Sequence, residues 1–534
     1  MSESLAAGAS DGNRIGRIVS VSGSGAVVLL DDSDTTRAPQ IGALVKAPTA
    51  HSVVYALVGE ISIPMPAQDQ GEREMRVVEL DFLGESALDA SGKLGAFQRG
   101  VSVFPTLGSS VHSTDQDDLL RVYAHVGQDG VRIGTIHQDE SVPAYIVTDD
   151  LLGKHFAILG TTGTGKSCAV ALILRAILSR HAHGHVLLLD PHNEYSRCFG
   201  DAAEVIHPGT LELPYWLLNF EETAQIMISG GTEQLETDGT VLAEAMLAAK
   251  KSYIAAGGRD EAVTVDTPVP YRMGDVLAQL GEAMGKLDKP TDIAPYMRLK
   301  SRIETLQGDR RFGFMFPRLT VKDNMAAILA RILRIPAEGK AVTILDLSGV
   351  PSEILNVVVS LLCRMVFDFA LWSDRAVPIL FVCEEAHRYA PLSAEVGFES
   401  TKAILSRIAK EGRKYGVSLC LVTQRPSELA PDILSQCNTI FALRLSNQKD
   451  QDFVRGTLSD SAMGLLDALP SLRNGEAVAV GEGVGVPMRI SFDRLPKEFR
   501  PRSGSAAFSA IWSNDSIGAD FLQDIVDRWR RQRR

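Results

Sequence analysis

The sequence predicts an α/β protein with a mainly parallel sheet, a small β-barrel ahead of it and a helical insertion within it. Three observations carry that expectation. Short β-like runs punctuated by Gly and Pro fill the chain up to about residue 140. Beyond them, short and wholly apolar runs alternate with amphipathic stretches, the pattern of strands covered by helices on both faces. One such run leads straight into a glycine-rich loop that opens a helix, "HFAILGTTGTGKS".

Taken in order, residues 1–13 are small and polar and read as a disordered tail. The barrel is expected over 14–140. "RIGRIVSVSGSGAVVLLDD" is two β-runs around a Gly-Ser-Gly turn, followed by "GALVKA", "VVYALVGEISI", "MRVVELDFLG" and "VRIGTI". The sheet-and-helix core is expected over 141–210 and 336–495. Its strands are "HFAILG", "HVLLLD", "AVTILDLS", "VPILFVCE", "GVSLCLVTQ" and "NTIFALRL", and "GEAVAVGEG" and "VPMRISF" close the series. Between them, 211–335 is rich in helix formers ("NFEETAQIM", "IAPYMRLKSRIETLQ", "MAAILARIL") and reads as a helical insertion with a long loop at "GGRDEAVTVDTPVP". Residues 496–534 form a C-terminal tail ending in "RWRRQRR", which is either a contact for DNA or protein or a solvated basic helix end.

Composition excludes little. At 534 residues, 45% apolar and 22% charged, the chain has ample material for several cores. A net charge of −12 argues against a surface coated for nucleic acid, yet allows a basic channel inside an acidic shell. The six cysteines are scattered without C-x-x-C spacing and read as small buried thiols in a reducing compartment. "MSESLAAGASDGN" lacks the basic and apolar regions of a signal peptide. The apolar stretch 354–372 contains Arg364 and Asp368, so a buried helix is expected there, not a membrane span. A cytoplasmic protein with no membrane partner follows.

"GTTGTGKS" fits the phosphate-loop pattern G-x-x-x-x-G-K-[ST] and lies between a strand and a helix, where the chemistry requires it. Gly160, Gly163 and Gly165 let the backbone curl so that successive N–H groups face the phosphates, and the helix dipole favours their charge. The candidate nucleotide contacts are Gly160, Thr161, Thr162, Gly163, Thr164, Gly165, Lys166, Ser167 and Cys168. Lys166 is expected on the β/γ-phosphates and the Ser167 hydroxyl on Mg²⁺. "FVCEEAHRYAP" then places two like charges, Glu384 and Glu385, at a strand end. With ATP and Mg²⁺ nearby, Glu384 reads as the acid that holds the metal, usually through water, and Glu385 as the base that deprotonates the attacking water. Swapped roles or a capping role are the alternatives.

Gln424 ends another apolar strand, "LVTQRP", placed either to sense the γ-phosphate or to cap the next turn. "ILSRIAKEGRKYG" carries Arg407 and Arg413, of which either is a candidate finger for a neighbour's γ-phosphate or part of a solvated helix face. Asp190 ends the strand of "LLLDPHNEY" and reads as a support for the nucleotide-site network.

In the order "GTTGTGKS", "LLLDPHNEYS", "LPYWLLNFEE", "DRRFGFMF", "EEAHRYAP", "GRKYG" and "TQRP", the chain resembles the HerA family of hexameric DNA-translocating ATPases, in the RecA-like division that also contains FtsK. The resemblance covers most of the chain. It implies a RecA-like P-loop NTPase core and a ring, usually of six subunits, with ATP sites between neighbours. It also implies double-stranded DNA in the pore and a docked partner, commonly a nuclease and in some relatives a phage-defence effector. Glu-Glu departs from the frequent Asp-Glu, and Asn193 stands where glycine is frequent. The competing reading is a scaffold ring that activates an effector and uses ATP mainly for assembly; a conjugation or secretion ATPase ranks behind both.

Overall fold

The computed structural model describes residues 13–31, 39–64, 75–124, 129–228, 232–257, 262–287, 289–316, 321–393, 399–457, 463–502, 508–513 and 519–530. The expected N-terminal tail, apart from Asn13, and the last four residues, 531–534, lie outside them. The chain divides into two compact units, Met1–Gly184 with Ala370–Pro496, and His185–Phe369 with Lys497–Arg534.

The first unit opens with strands β1 (Arg14–Val21), β2 (Gly25–Leu30), β3 (Leu44–Pro48), β4 (Ser52–Ser62), β5 (Val77–Leu88), β6 (Leu94–Arg99) and β7 (Ser110–Ser113). They pair in the order β2-β1-β7-β3-β4-β5, and β2 pairs back onto the first half of β5, so six strands close into a barrel. β6 continues along the second half of β5. Inward-facing Ile15, Ile18, Val28, Val45, Val58, Val78, Leu80 and Val111 fill the barrel. Register shifts in β1 at Ile18/Ser20 and in β4 at Tyr55/Ala56 and Val58/Glu60 supply the extra twist that closure needs. After α1 (Gln116–Tyr123) come the hairpin β8 (Gly130–Ile136) and β9 (Asp139–Val147), then α2 (Thr148–Leu152), β10 (His155–Leu159) and α3 (Lys166–Arg180).

The second unit starts with β11 (Val186–Asp190) and β12 (Ala203–Ile206). The helical insertion follows: α4 (Phe220–Met227), α5 (Thr232–Ala256), α6 (Met273–Met284), α7 (Pro290–Gly308) and α8 (Met325–Leu333). β13 (Val342–Asp346) pairs parallel with both β11 and β12, and α9 (Ser352–Trp372) follows it. The insertion is fastened to α9 by a buried ion pair, in which Arg364 reaches Glu222 of α4 at 2.8 Å and also donates to the Leu217 carbonyl. Fully buried Lys250 donates to the Val265 and Thr267 carbonyls and pins the loop after α5. Among the described residues α9 alone is long and apolar enough to cross a membrane, but 72% of its most apolar window is buried inside the protein.

The chain then returns to the first unit with β14 (Ile379–Cys383), α10 (Glu399–Glu411), β15 (Val417–Thr423), α11 (Pro431–Leu434), β16 (Cys437–Ala442), α12 (Gln448–Thr457), α13 (Met463–Asp467), β17 (Glu476–Gly481) and β18 (Met488–Phe492). The strand order within this unit is β14-β15-β10-β16-β17-β18-β8-β9. β14, β15, β10 and β16 run parallel, and the rest extend the sheet antiparallel. This corrects the expected barrel boundary at residue 140. "VRIGTI" is β8, which pairs with β18 in the core sheet, and its Arg132 grips Asp493 through two bonds of 3.1 and 3.2 Å. The barrel closes without it, and strand periodicity alone does not say which sheet a strand joins. α14 (Phe508–Trp512) and α15 (Ala519–Arg530) belong to the second unit.

Candidate nucleotide site

All five residues of β10 are buried, which fixes the strand that launches the phosphate loop between β15 and β16. Gly163 and Gly165 adopt φ of 80° and 102°, conformations closed to most residues with a Cβ. The loop is tied down from both flanks. The Thr161 N–H and hydroxyl both donate to the Arg444 carbonyl, at 3.0 and 3.1 Å, and the Gly475 N–H donates to the Thr164 carbonyl at 3.0 Å. A methyl group at Gly160 would stand 2.9 Å from Leu443 Cβ, so the entry to the loop has no room for a side chain. The open turn at Gly163 and the first turn of α3 together form an anion cradle that fits a nucleotide's phosphates.

Lys166, at the start of α3, is buried and donates to Glu384 Oε1 at 2.8 Å; both side chains are under 10% exposed. A buried ammonium beside a buried carboxylate is a matched pair. Glu385 then turns the chain. Its φ of 54° and ψ of 44° are left-handed, unusual for a residue with a side chain, and they swing it out of the path of β14. The neighbouring carboxylates thus meet different partners: Glu384 meets Lys166, and Glu385 Oε2 lies 3.3 Å from His387 Nδ1. Gln424, one residue past β15, accepts a hydrogen bond from the Thr162 hydroxyl through Oε1. The ends of three adjacent strands, β14, β15 and β10, therefore carry two hydrogen-bonded pairs, Lys166 with Glu384 and Thr162 with Gln424.

Other expected residues have different partners. Asp190 belongs to the second unit, where its carboxylate accepts the N–H groups of His192, Glu194 and Tyr195 at 3.3, 3.0 and 2.9 Å. These bonds order its own loop. Arg407 is half exposed on α10 and lies 3.7 Å from Glu411, and Arg413 is exposed in the turn that follows. Cys168 is exposed beside the cradle, against the expectation of buried thiols; the other five cysteines are buried. Ser167 is half-buried in the first turn of α3. Among the described residues no three His, Cys, Asp or Glu side chains form a metal cage. One serine hydroxyl and one acid nevertheless suit Mg²⁺, which keeps several of its waters and leans on substrate phosphates.

Sequence reasoning missed Arg444, Asn474 and Gly475, which buttress the loop from about 300 residues away; the Arg444 guanidinium is itself held by Asn474 at 2.7 Å and by the Leu472 carbonyl. No local signal marks such contacts. It also left His387 without a role, although "EEAH" displayed it.

The family model described as the central domain of helicase HerA matches residues 131–366. The DNA double-strand break repair helicase HerA of Pyrococcus furiosus is 28% identical over 464 residues, covering 80% of this chain and 78% of its own. That of Saccharolobus solfataricus is 25% identical over 401 residues, 73% of each chain. Among solved structures, VirB4 of Thermoanaerobacter pseudethanolicus aligns with 70% of this chain and 99% of its own, at 16% identity and a TM-score of 0.49.

Proposed function

Since the chain is a HerA-like P-loop ATPase, we propose that it is the subunit of a ring motor that hydrolyses ATP, translocates double-stranded DNA and works with a partner nuclease or other effector. The observation that carries this reading is at the ends of β14, β15 and β10, where the phosphate loop already holds an acid through Lys166 and a polar strand end through Thr162. The names of its relatives, double-strand break repair helicases, support DNA as the track.

In this mechanism the loop amides and Lys166 bind the β- and γ-phosphates of ATP, and Lys166 exchanges its contact with Glu384 for them. The Ser167 hydroxyl and, through a water, Glu384 would hold Mg²⁺, which would supply positive charge against the phosphate oxygens. Glu385 takes the proton of the water that attacks the γ-phosphorus, and ADP leaves. Gln424 exchanges its bond from Thr162 for the γ-phosphate and reports its presence along β15. Arg407 or Arg413 completes the site of an adjacent subunit.

The test measures ATP hydrolysis by the purified chain with and without duplex DNA. Hydrolysis is expected to rise with DNA, and the rise to fade steeply between about 50 and 200 mM salt as phosphate contacts weaken. Lys166→Ala should lower hydrolysis by ~100-fold or more. An assembled protein that neither binds duplex DNA at low salt nor responds to it overturns the motor reading. A partner effector fully active on a Glu385→Ala ring does so too, in favour of a scaffold.

A further inference from the structure

One side chain joins the candidate base to the strand end that carries Gln424. His387 Nδ1 lies 3.3 Å from Glu385 Oε2 and 2.9 Å from the Thr423 hydroxyl. Thr423 immediately precedes Gln424, and its hydroxyl oxygen also accepts the Arg425 N–H at 3.0 Å. Both the imidazole and the Glu385 carboxylate are nearly buried, 11% and 8% exposed.

We propose that His387 is a positioning residue for ATP hydrolysis, orienting the Glu385 carboxylate and tying it to the end of β15. The inference rests on the reading of Glu385 as the base. A neutral imidazole has a single N–H to give. On Nδ1, that proton is given to the Thr423 oxygen at 2.9 Å, and the positive end of the N–H stays 3.3 Å from the carboxylate and draws the acid toward it. On Nε2, Nδ1 instead accepts the Thr423 O–H and turns a lone pair toward the carboxylate, which repels it. The Thr423 hydroxyl therefore selects whether the carboxylate is held or released, and Thr423 moves with Gln424. Burial keeps the ring neutral by pushing its pKa down to about 4, which preserves this choice of tautomer at working pH. The left-handed backbone at Glu385 fits the same account, because such conformers persist only where neighbours over-determine them.

His387→Ala and His387→Asn separate this role from a merely structural one, since an asparagine amide N–H reaches about where the Nδ1 proton stands. His387→Ala is expected to lower kcat for DNA-stimulated hydrolysis by about 10- to 100-fold, with KM for ATP and the unfolding temperature close to those of the parent protein. His387→Asn should recover the rate to within a few-fold. Combined with Glu385→Gln, His387→Ala should add no further loss, because the two act as one unit. Parental kcat in His387→Ala, equal losses in both variants, or a loss confined to KM overturns the proposal. Parental hydrolysis by Glu385→Gln would overturn the reading of the base and this inference with it. An inactive Glu385→Gln beside a fully active His387→Ala overturns the inference alone.

Discussion

At the scale of single residues, burial decides which groups carry charge. His155 opens β10, 3% exposed, and its Nδ1 accepts the Leu419 N–H at 3.0 Å. Burial pushes its pKa down to about 4. Between pH 4 and its ordinary value near 6.5, the unfolded chain binds a proton there that the folded chain refuses. Stability thus rises with pH through that window and is lost as pH falls, by at most roughly 3 kcal/mol for this one group. His387, also depressed to about 4, adds a slope of the same sign. Urea unfolding midpoints should fall as pH is lowered from 6.5 to 4. His155→Asn, whose amide oxygen accepts the same N–H without titrating, should flatten that fall; an unchanged slope would assign it to other groups. This level of detail was only partly legible in the sequence. Lys166 and Glu384 stood out because a lysine after a glycine loop and an acid after an apolar strand are chemically conspicuous. His387 and Thr423 did not, because their roles arise from a left-handed turn at Glu385 that no local pattern announces.

At the scale of elements, strand identity was legible and strand partnership was not. Each apolar run became a strand because five to seven buried residues leave little else for the chain to do. The closure of β2 onto β5 and the transfer of β8 to the core sheet depend on contacts distant in sequence. Another such contact joins the barrel to the rest of its unit. A methyl group on Gly464 of α13 would lie 2.3 Å from Gly59 Cα in β4, so helix and strand touch backbone to backbone. The Leu44 N–H donates to Gln138 Oε1 at 2.7 Å across the same joint. Gly464→Ala should destabilise the protein by about 1–3 kcal/mol through overpacking, read as a lower midpoint in thermal or urea unfolding. An unaltered midpoint would mean that the barrel lifts away from α13 without cost.

At the scale of the whole molecule, the proposed ring makes a prediction that no isolated subunit can satisfy. If Arg413 serves the neighbour's site, Lys166→Ala and Arg413→Ala subunits should each be nearly inactive alone yet regain activity when co-assembled. An interface that joins an intact loop from one to an intact arginine from the other is complete. Random mixing in equal parts would restore about a quarter of such interfaces in a closed ring. No recovery with Arg413, followed by recovery with Arg407→Ala, would move the role to Arg407; failure of both would count against sites shared between subunits. The charge of −12 is not at odds with a DNA track, since only the pore surface needs to be basic. Lastly, β15 is stitched to β14 along one margin and to β10 along the other. A ribbon sewn on both sides cannot slip past one neighbour without shearing its seam with the second. In the proposed motor, loosening of the grip on nucleotide and disarming of the cutting acid would then belong to a single stroke.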